Sequence, residues 1–524
     1  MARELSISGN KGEHMTQLPD VSSLRTRGLD AALRAIGFVL WFSFILFCVG
    51  LNQSTGLASA DDAFFAVTAK SLASGLGYAT TFPVFSKEIA HPILFFPGGS
   101  GPTLIVPCAI AFKIFGKNEV LPGLTAILTW GSVLTLVLAR ISRRIDGLSF
   151  FLGVSVMCAA FLGTLAFHFY AWSSFFGEIV AVAFLILAHW LISNERFAET
   201  SSFLCGLALG CAFQAKVLAA IAATGIVLVF VVRGMRAGFQ SVQWVKCAAA
   251  LLIGFLIPTL TFEAYKLFEL GGHGYLANWL ENLHFIKMMG LRHNPNGNLL
   301  LVRQRIALFH DSFGVNLIGL LALITFGMLL YWRSASKNWI SLSAGLLLSV
   351  ATTAIYWATL SFGLARYLVI AVAMGAFLLS VPIFTLELRP KLLFTLLTLV
   401  LLMTGLSRAG HLVQSATPGL FRPSPERAAR ASLVRIIEQR QQEAPAILAS
   451  RYWPSFVAVE FSLPGSMNFK RIETVSDLPG PKLILLNHTF DSFAPPEAEP
   501  IDKIRARTSS TIFADGPYEL LEIR

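Results

Sequence analysis

The stretch LRAIGFVLWFSFILFCVGL at residues 33–51 is long and apolar enough to cross a lipid bilayer as a helix. About ten residues after it, the segment SADDAFFAVTAKSLASGLGY at residues 59–78 begins with two adjacent carboxylates, Asp61 and Asp62. Ionisable residues next to a membrane helix are costly and are usually kept for a function. The acid pair therefore marks a candidate site at the membrane–water boundary, where it could act as a general base or hold a metal ion.

The composition of the 524-residue chain is that of a protein with many membrane spans. Hydrophobic residues make up 55% of it, charged residues only 14%, and the mean hydropathy is +0.66. The net charge of +11 comes mostly from basic residues in short loops between apolar segments, which is the positive-inside pattern and does not indicate nucleic acid binding. All six cysteines lie in apolar stretches, so neither a disulfide framework nor a zinc site is expected.

Eleven apolar runs are candidate membrane spans. They lie near residues 33–51, 121–139, 148–167, 174–193, 201–215, 217–232, 245–266, 313–332, 338–360, 365–385 and 391–407. The segment 101–116 is short and carries Pro107 and Lys113, so we expect it to lie along the membrane surface. With that arrangement the basic loops face the cytoplasm, which predicts about 11 transmembrane helices and a C-terminus on the outer side.

These features predict a polytopic α-helical membrane protein with a small soluble domain. Residues 1–30 form a cytoplasmic N-terminal tail, and residues 31–407 form the transmembrane module. Two outward loops are expected within that module, at 52–120 and at 267–312. Residues 408–524 form an α/β domain outside the membrane.

The predicted elements of the C-terminal domain are one helix and four strands. Ser424-Pro425 indicates a helix start, with an N-cap and a proline at the first helical position, and the helix is expected to end near Gln442. The predicted strands are 446–449, 456–461, 482–486 and 518–523.

Asp61 and Asp62 are the first candidates for chemistry. Two neighbouring carboxylates repel each other, so the pKa of one should rise, which suits a base that accepts a proton from a hydroxyl. The alternative is that one of them only caps the helix that follows.

Glu178 and Lys216 are ionisable groups at the ends of apolar segments. Glu178 is either functional or a solvated residue at a helix start, where a negative charge is favourable. Lys216 could pair with Glu178 or bind an anionic headgroup, and the alternative is that its side chain extends to the interface.

Further basic residues are candidates for binding phosphate. Arg366-Tyr367 begins a late helix, and an arginine fork suits phosphate, although it could also be an interfacial anchor. The range 267–312 carries Arg292, Arg303 and Arg305, which could grip phosphate or could belong to a solvated loop.

The order of these residues resembles that of the GT-C glycosyltransferases that use polyprenyl-phosphate sugars, a group that includes protein O-mannosyltransferases, aminoarabinose transferases and galacturonosyltransferases. The resemblance covers roughly residues 30–385. The motifs that carry it are Asp61-Asp62-Ala63-Phe64-Phe65, Gly77-Tyr78, His91-Pro92, Lys113-Ile-Phe-Gly116, Gly177-Glu178, Gly206-Leu-Ala-Leu-Gly210 with Lys216, and Arg366-Tyr367. The chain departs from the group's pattern where Asp62 replaces the commoner Glu and Ala215 the usual Thr.

The resemblance implies a GT-C-like fold and transfer of a sugar from a polyprenyl-phosphate donor on the outer face of the inner (plasma) membrane. Asp61, or less favourably Asp62, would deprotonate an acceptor hydroxyl, which attacks the anomeric carbon with inversion. The acceptor would be lipid A or a core saccharide, a polysaccharide or a protein. The residues expected to bind the substrate and its phosphate are Glu178, Lys216, Arg366, Tyr367, His91, Arg292, Arg303 and Arg305.

Three points stay open at this stage. A divalent metal, Mg or Mn, could be held by Asp61, Asp62 and Glu178, because hard cations prefer oxygen ligands. The main alternative function is a lipid-linked sugar transporter or flippase, although no internal repeat of the kind common in transporters is evident. A non-catalytic membrane scaffold would leave the clustered ionisable residues unexplained.

Overall fold

A computed structural model describes most of the chain. The described residues are 21–78, 101–164, 169–194, 198–237, 242–290, 298–313, 317–332, 336–359, 365–416, 419–443, 446–451, 455, 457–463, 469–471, 480–491 and 498–523. His91 and Arg292, two of the predicted site residues, lie outside them.

The first three quarters of the described chain are helical. The helices are α1 Val21–Thr55, α2 Ala60–Ala73, α3 Pro102–Phe115, α4 Leu121–Ser142, α5 Gly147–Thr164, α6 Gly177–Asn194, α7 Glu199–Ala215, α8 Ala219–Ala222, α9 Thr224–Ala237, α10 Val242–Gly290, α11 Asn298–Phe313, α12 Leu317–Trp332, α13 Lys337–Thr359, α14 Val369–Thr385 and α15 Leu388–Ala416. Short 3-10 turns at Phe169–Trp172 and Ala365–Leu368 precede α6 and α14.

Eight helices in the described part of the chain are long and apolar enough to cross a membrane. Three shorter apolar helices accompany them, at Pro102–Phe115, Gly177–Ser193 and Gly319–Leu330. The predicted polytopic helical fold is confirmed, while the count of 11 spans stays a prediction. The expected span at 217–232 is among the eight, as Ala219–Arg236, and a turn at Ala223 separates its α8 and α9 parts.

Glycines allow α7 and α10 to pack closely. A Cβ atom at Gly206 would lie 2.0 Å from the Leu251 carbonyl oxygen, and one at Gly254 would lie 2.2 Å from that of Phe203. Small residues at such crossings let two backbones approach, which is a common basis of helix association in membranes. The Gly206–Gly210 motif of the sequence therefore has a packing role.

The predicted outward loop at 267–312 is mostly helical where the structure describes it. The long helix α10 continues through it to Gly290, with a bend at Gly271, whose φ of 66° is in the left-handed region. The helix α11 follows from Asn298. We expected a loop because of the Gly, His and basic content, but residues 267–290 and 298–312 lie in helices.

The C-terminal domain is a five-stranded sheet with helices. Its elements are α16 Pro425–Glu443, β1 Ile447–Ser450, α17 Val457–Ser462, β2 Phe469–Arg471, β3 Lys482–Asn487, α18 His488–Asp491, α19 Ile501–Ala506, β4 Ser510–Asp515 and β5 Tyr518–Ile523. The strand order is β2-β1-β3-β5-β4, in which β1 is parallel to β2 and β3, and β5 is antiparallel to β3 and β4.

The predicted helix and three of the four predicted strands of this domain are confirmed. The Ser424 hydroxyl caps α16 by accepting a hydrogen bond from the Arg427 amide at 3.3 Å. The fourth prediction, a strand at 456–461, is wrong, because Val457–Ser462 is the helix α17. The apolar residues form two stripes, and within each stripe they are four residues apart. Val457 and Phe461 face one core, and Val459 and Leu463 face another.

Candidate functional site

The helix α2 carries the acid pair in its first turn. Its N-cap is Ser59, whose hydroxyl accepts a hydrogen bond from the Asp62 amide at 3.1 Å. The interpretation that one of the acids is the cap is therefore wrong. Asp61 and Asp62 occupy the second and third helical positions, where the helix dipole favours negative charge.

The two acids have different surroundings because consecutive helical residues point in different directions. The Asp61 side chain is 30% exposed, and its Oδ2 forms an ion pair with Nη1 of Arg366. Asp62 is fully buried. The structure thus separates two carboxylates that the sequence places side by side.

Burial raises the pKa of Asp62 to about 7, against opposing contributions from the Ser59 hydroxyl and nearby backbone amides. The Glu178 carboxylate makes a smaller contribution to this rise. The pKa rise that we predicted for one of the acids is present, but its main cause is burial, and the interacting carboxylate is Glu178.

Glu178 and Lys216 form a buried ion pair beside Asp62. The distance from Lys216 Nζ to Glu178 Oε1 is 2.9 Å, and the two side chains are 0% and 3% exposed. Lys216 follows the end of α7 in an extended conformation, and its amide donates to the Ala212 carbonyl at 2.9 Å. The lysine therefore reaches Glu178 at the start of α6 and does not extend to the surface.

Arg366 connects the late part of the chain to the acid helix. It lies in the 3-10 turn before α14, 305 residues after its partner Asp61. Its guanidinium carbon lies 5.6 Å from the centroid of the Tyr367 ring and 6.0 Å from that of Phe176. The flanking aromatic rings restrict the guanidinium while leaving it 29% exposed.

Two other predicted basic residues, Arg303 and Arg305, belong to α11. The Arg305 guanidinium carbon lies 5.4 Å from the centroid of the Trp357 ring, and the residue is buried. Arg303 is exposed.

The three acids proposed as metal ligands do not form a metal site in this structure. Asp61 faces Arg366, Glu178 faces Lys216, and Asp62 is fully buried. Among the described residues there is no group of three or more His, Cys, Asp or Glu side chains suited to hold an ion.

A cavity of about 580 Å³ lies between α2, α3 and α10, with Gln214 of α7 at one side. Its lining is largely apolar, and the residues with polar side chains in it are Tyr78, Thr103, Lys113, Gln214, Thr261 and Tyr265. The Tyr265 hydroxyl accepts a hydrogen bond from the Tyr78 amide at 3.0 Å, which fixes one wall. Little in the sequence indicates this cavity, because its walls come from four separate segments.

The start of α3 approaches the end of α7 closely. A Cβ atom on Gly101 would lie 2.0 Å from the Gln214 carbonyl oxygen, and the Gly101 amide donates to the Ala215 carbonyl at 3.3 Å. Because Lys216 follows directly, this contact links the cavity wall to the buried ion pair. Pro102 at the first helical position, after a glycine, is the sequence signal for this start.

Neither a protein-family model nor a curated protein sequence matches the chain. Among solved structures, it is similar to ArnT from Cupriavidus metallidurans bound to undecaprenyl phosphate, with a TM-score of 0.54 and 11% identity over 94% of this chain and 98% of ArnT. For the apo state of ArnT the TM-score is 0.56, again with 11% identity, over 95% and 98%. The chain shares the GT-C fold of ArnT. The predicted fold class is thereby confirmed.

An oligosaccharyltransferase from Archaeoglobus fulgidus is similar over 81% of this chain and 63% of its own length, with a TM-score of 0.45 and 12% identity. At these identities a structural likeness concerns the fold alone. The arrangement of the site therefore carries the functional argument.

Proposed function

We propose that this protein is a membrane glycosyltransferase that moves a sugar from a polyprenyl-phosphate donor to a hydroxyl group of an envelope glycolipid, glycan or protein. The observation that carries the proposal is the partly exposed pair of Asp61 and Arg366. It places a carboxylate that can take a proton beside a guanidinium that can bind phosphate. The fold supports it, because ArnT has been solved with undecaprenyl phosphate bound.

Asp61 is the proposed general base. Its carboxylate takes the proton of the acceptor hydroxyl as the hydroxyl oxygen attacks the anomeric carbon of the sugar. The bond from that carbon to the phosphate oxygen breaks, its electron pair leaves with the polyprenyl phosphate, and the configuration inverts. Asp61 suits this role better than Asp62, because it is 30% exposed whereas Asp62 is fully buried.

Arg366 is the proposed phosphate ligand. Before the donor binds, it neutralises Asp61, and on binding it transfers its hydrogen bonds to the phosphate. The leaving phosphate gains negative charge as the bond breaks, so a fixed cation next to it stabilises the transition state more than the ground state. Release of Arg366 also frees Asp61 to accept a proton.

The apolar cavity between α2, α3 and α10 is the proposed site for the polyprenyl chain. Its apolar lining suits a hydrocarbon, and Lys113 lies among its polar residues, where it can interact with an anionic group. We place the reaction on the outer face of the inner membrane, in keeping with the positive-inside pattern of the loops.

The proposal is tested by mass spectrometry of envelope glycolipids and glycans from a deletion strain. The strain is complemented with the wild type, with Asp61→Asn, or with Asp502→Asn, an exposed acid of α19 that serves as the matched control. We expect one sugar to be absent from the deletion strain and restored by the wild type and the control. Asp61→Asn should restore less than about one hundredth of it, at equal protein level in the membrane.

Full restoration of the sugar by Asp61→Asn would contradict the proposed base and favour the transporter. The mass of the missing group identifies the sugar, and the molecule that lacks it identifies the acceptor.

A further inference from the structure

The helix α17 lies between the transmembrane module and the C-terminal domain and contributes to the apolar core of each. Val457 and Phe461 are buried in the core of the transmembrane module. Val459 and Leu463 are buried in the core of the C-terminal domain. The ring of Phe461 packs on that of Phe112 in α3, with 5.6 Å between centroids. A helix this short is not stable by itself, so both neighbours determine its position.

The last turn of α2 is bound to the C-terminal end of α17 through Lys70. Its Nζ donates to the carbonyl oxygens of Glu460 and Phe461, each at 3.1 Å. A third bond, 2.6 Å long, goes to the carbonyl oxygen of Leu463. The last carbonyl groups of a helix lack partners within it and carry the negative end of its dipole. The three donors of one ammonium group satisfy them.

Glu119, just before α4, provides a second polar contact with α17. Its Oε1 accepts a hydrogen bond from the Ser462 hydroxyl at 2.7 Å. The Glu119 carboxylate also accepts two hydrogen bonds from the buried guanidinium of Arg430 in α16. Nη2 donates to Oε2 at 2.9 Å, and Nε donates to Oε1 at 3.1 Å. Burial alone would raise the pKa of Glu119, but the Arg430 guanidinium holds it below its usual value. Glu119 therefore joins α16 and α17 to the transmembrane module as a charged group.

The C-terminal domain also contacts the chain just before α2. The Ser424 amide donates to the Ser54 carbonyl at 2.9 Å, and Arg427 donates to the Gln53 carbonyl. These carbonyl groups belong to the last turn of α1, where a helix needs outside donors. The domain is thus attached on both sides of the segment that carries Asp61.

We infer that the C-terminal domain holds the acid-bearing helix α2 in place through α17, and that Lys70 is the positioning residue of this contact. The inference rests on the proposed function, because α2 carries the base Asp61 in its first turn and Lys70 in its last. A helix transmits a displacement from one end to the other. A shift of about 1 Å at a reacting group can cost about a hundredfold in rate.

The test compares full-length Lys70→Met with the wild type and with two further variants. Methionine keeps the apolar stem but removes the three hydrogen bonds of Lys70, while Lys117, whose Nζ donates to the Leu463 carbonyl oxygen at 3.4 Å, remains. Lys70→Arg keeps the charge and the donors, and Lys503→Met removes an exposed lysine of α19 in the same domain. All four proteins are purified in lipid nanodiscs.

Three readouts distinguish positioning from a general structural role. In Lys70→Met we expect the amides of α2 to exchange hydrogen about tenfold faster, because the helix opens locally more often. Binding of undecaprenyl phosphate alone should stay within about twofold of the wild type. Sugar restored in the deletion strain should fall between about tenfold and a hundredfold. Lys70→Arg should retain most of the wild-type values, and Lys503→Met all of them.

Unchanged hydrogen exchange in α2 of Lys70→Met overturns the inference, and so does full restoration of the sugar. Equal losses of lipid binding and of sugar transfer also overturn it, because they indicate general unfolding. If Lys70→Met does not accumulate, Ser462→Ala replaces it. We then expect about threefold faster hydrogen exchange in α2 of Ser462→Ala and unchanged exchange in α2 of the control Lys503→Met. Hydrogen exchange needs no substrate, so it decides the inference even if the wild type transfers no sugar.

Discussion

Two ion pairs flank the acid helix, and they differ mainly in their access to solvent. Asp61 and Arg366 are 30% and 29% exposed, whereas Glu178 and Lys216 are 3% and 0% exposed. The first pair joins α2 to the turn before α14, and the second joins α6 to the end of α7. Both connect distant segments at the same site, so exposure, not connectivity, distinguishes their roles.

The difference indicates which pair can exchange partners with a substrate. A partly exposed pair contributes less net stability than its contact distance suggests, because water and salt screen it, so either member can turn to a ligand at small cost. A buried pair cannot separate without leaving an uncompensated charge in an apolar environment. We therefore assign substrate contact to Asp61 and Arg366, and a fixed electrostatic environment for Asp62 to Glu178 and Lys216.

The largest effect is expected from breaking the buried pair. Lys216→Met leaves the Glu178 carboxylate buried without its cation and should lower the free energy of unfolding by about 3–5 kcal/mol. Thermal unfolding in detergent and the protein level in membranes measure the loss. The matched control is Lys246→Met, which removes a lysine 4.0 Å from Glu199 in an exposed pair and should cost less than about 1 kcal/mol.

A second variant separates charge from packing. The double variant Glu178→Leu/Lys216→Met replaces both members of the buried pair. It leaves no uncompensated charge and should recover much of the lost stability. If Lys216→Met alone unfolds at the wild-type temperature, the contrast between the two pairs does not hold.

Breaking the exposed pair should affect activity more than stability. Arg366→Gln removes the cation that is proposed to bind the donor phosphate, and sugar transfer should fall by about a hundredfold to a thousandfold. Its free energy of unfolding should change by less than about 1 kcal/mol. Arg366→Lys should be intermediate, because an ammonium group cannot reproduce the fork of a guanidinium. Transfer and unfolding are measured on the same preparations.

Arg389→Gln, at an exposed arginine near the start of α15, is the matched control and should behave as the wild type. Wild-type transfer by Arg366→Gln would remove Arg366 from the proposed mechanism. A loss of stability as large as that of Lys216→Met would show that the two pairs are equivalent.

Features of the site that involve charges in apolar sequence could be predicted. Glu178 and Lys216 are each costly to bury alone, so pairing was one of few arrangements open to them, and the structure contains that pair. Apolar length likewise predicted the transmembrane helices. In both cases the signal lies within a short stretch of chain and needs no knowledge of distant partners.

Features that depend on direction or on long-range contact could not be predicted. The sequence does not tell which of Asp61 and Asp62 points into the core, because both occupy the first turn of the same helix. The partnership of Asp61 with Arg366 spans 305 residues. The helix α17 was predicted as a strand, because a segment between two cores carries apolar residues on two faces, and these alternate as they do in a strand.

The smallest of the expected effects concerns Asp62, which is fully buried and interacts with Glu178. Its pKa is about 7 in the folded protein and near 3.8 when exposed, so between these values the folded state holds a proton that the unfolded state has lost. The wild type therefore loses stability as the pH rises through this window, and Asp62→Asn does not. From about pH 5 to pH 6.5 the stability of the variant relative to the wild type should rise by about 2 kcal/mol. The free energy of unfolding, measured at each pH, gives this difference, and Asp502→Asn is the control. Parallel curves of unfolding free energy against pH for Asp62→Asn and the wild type would mean that Asp62 is ionised in the folded protein.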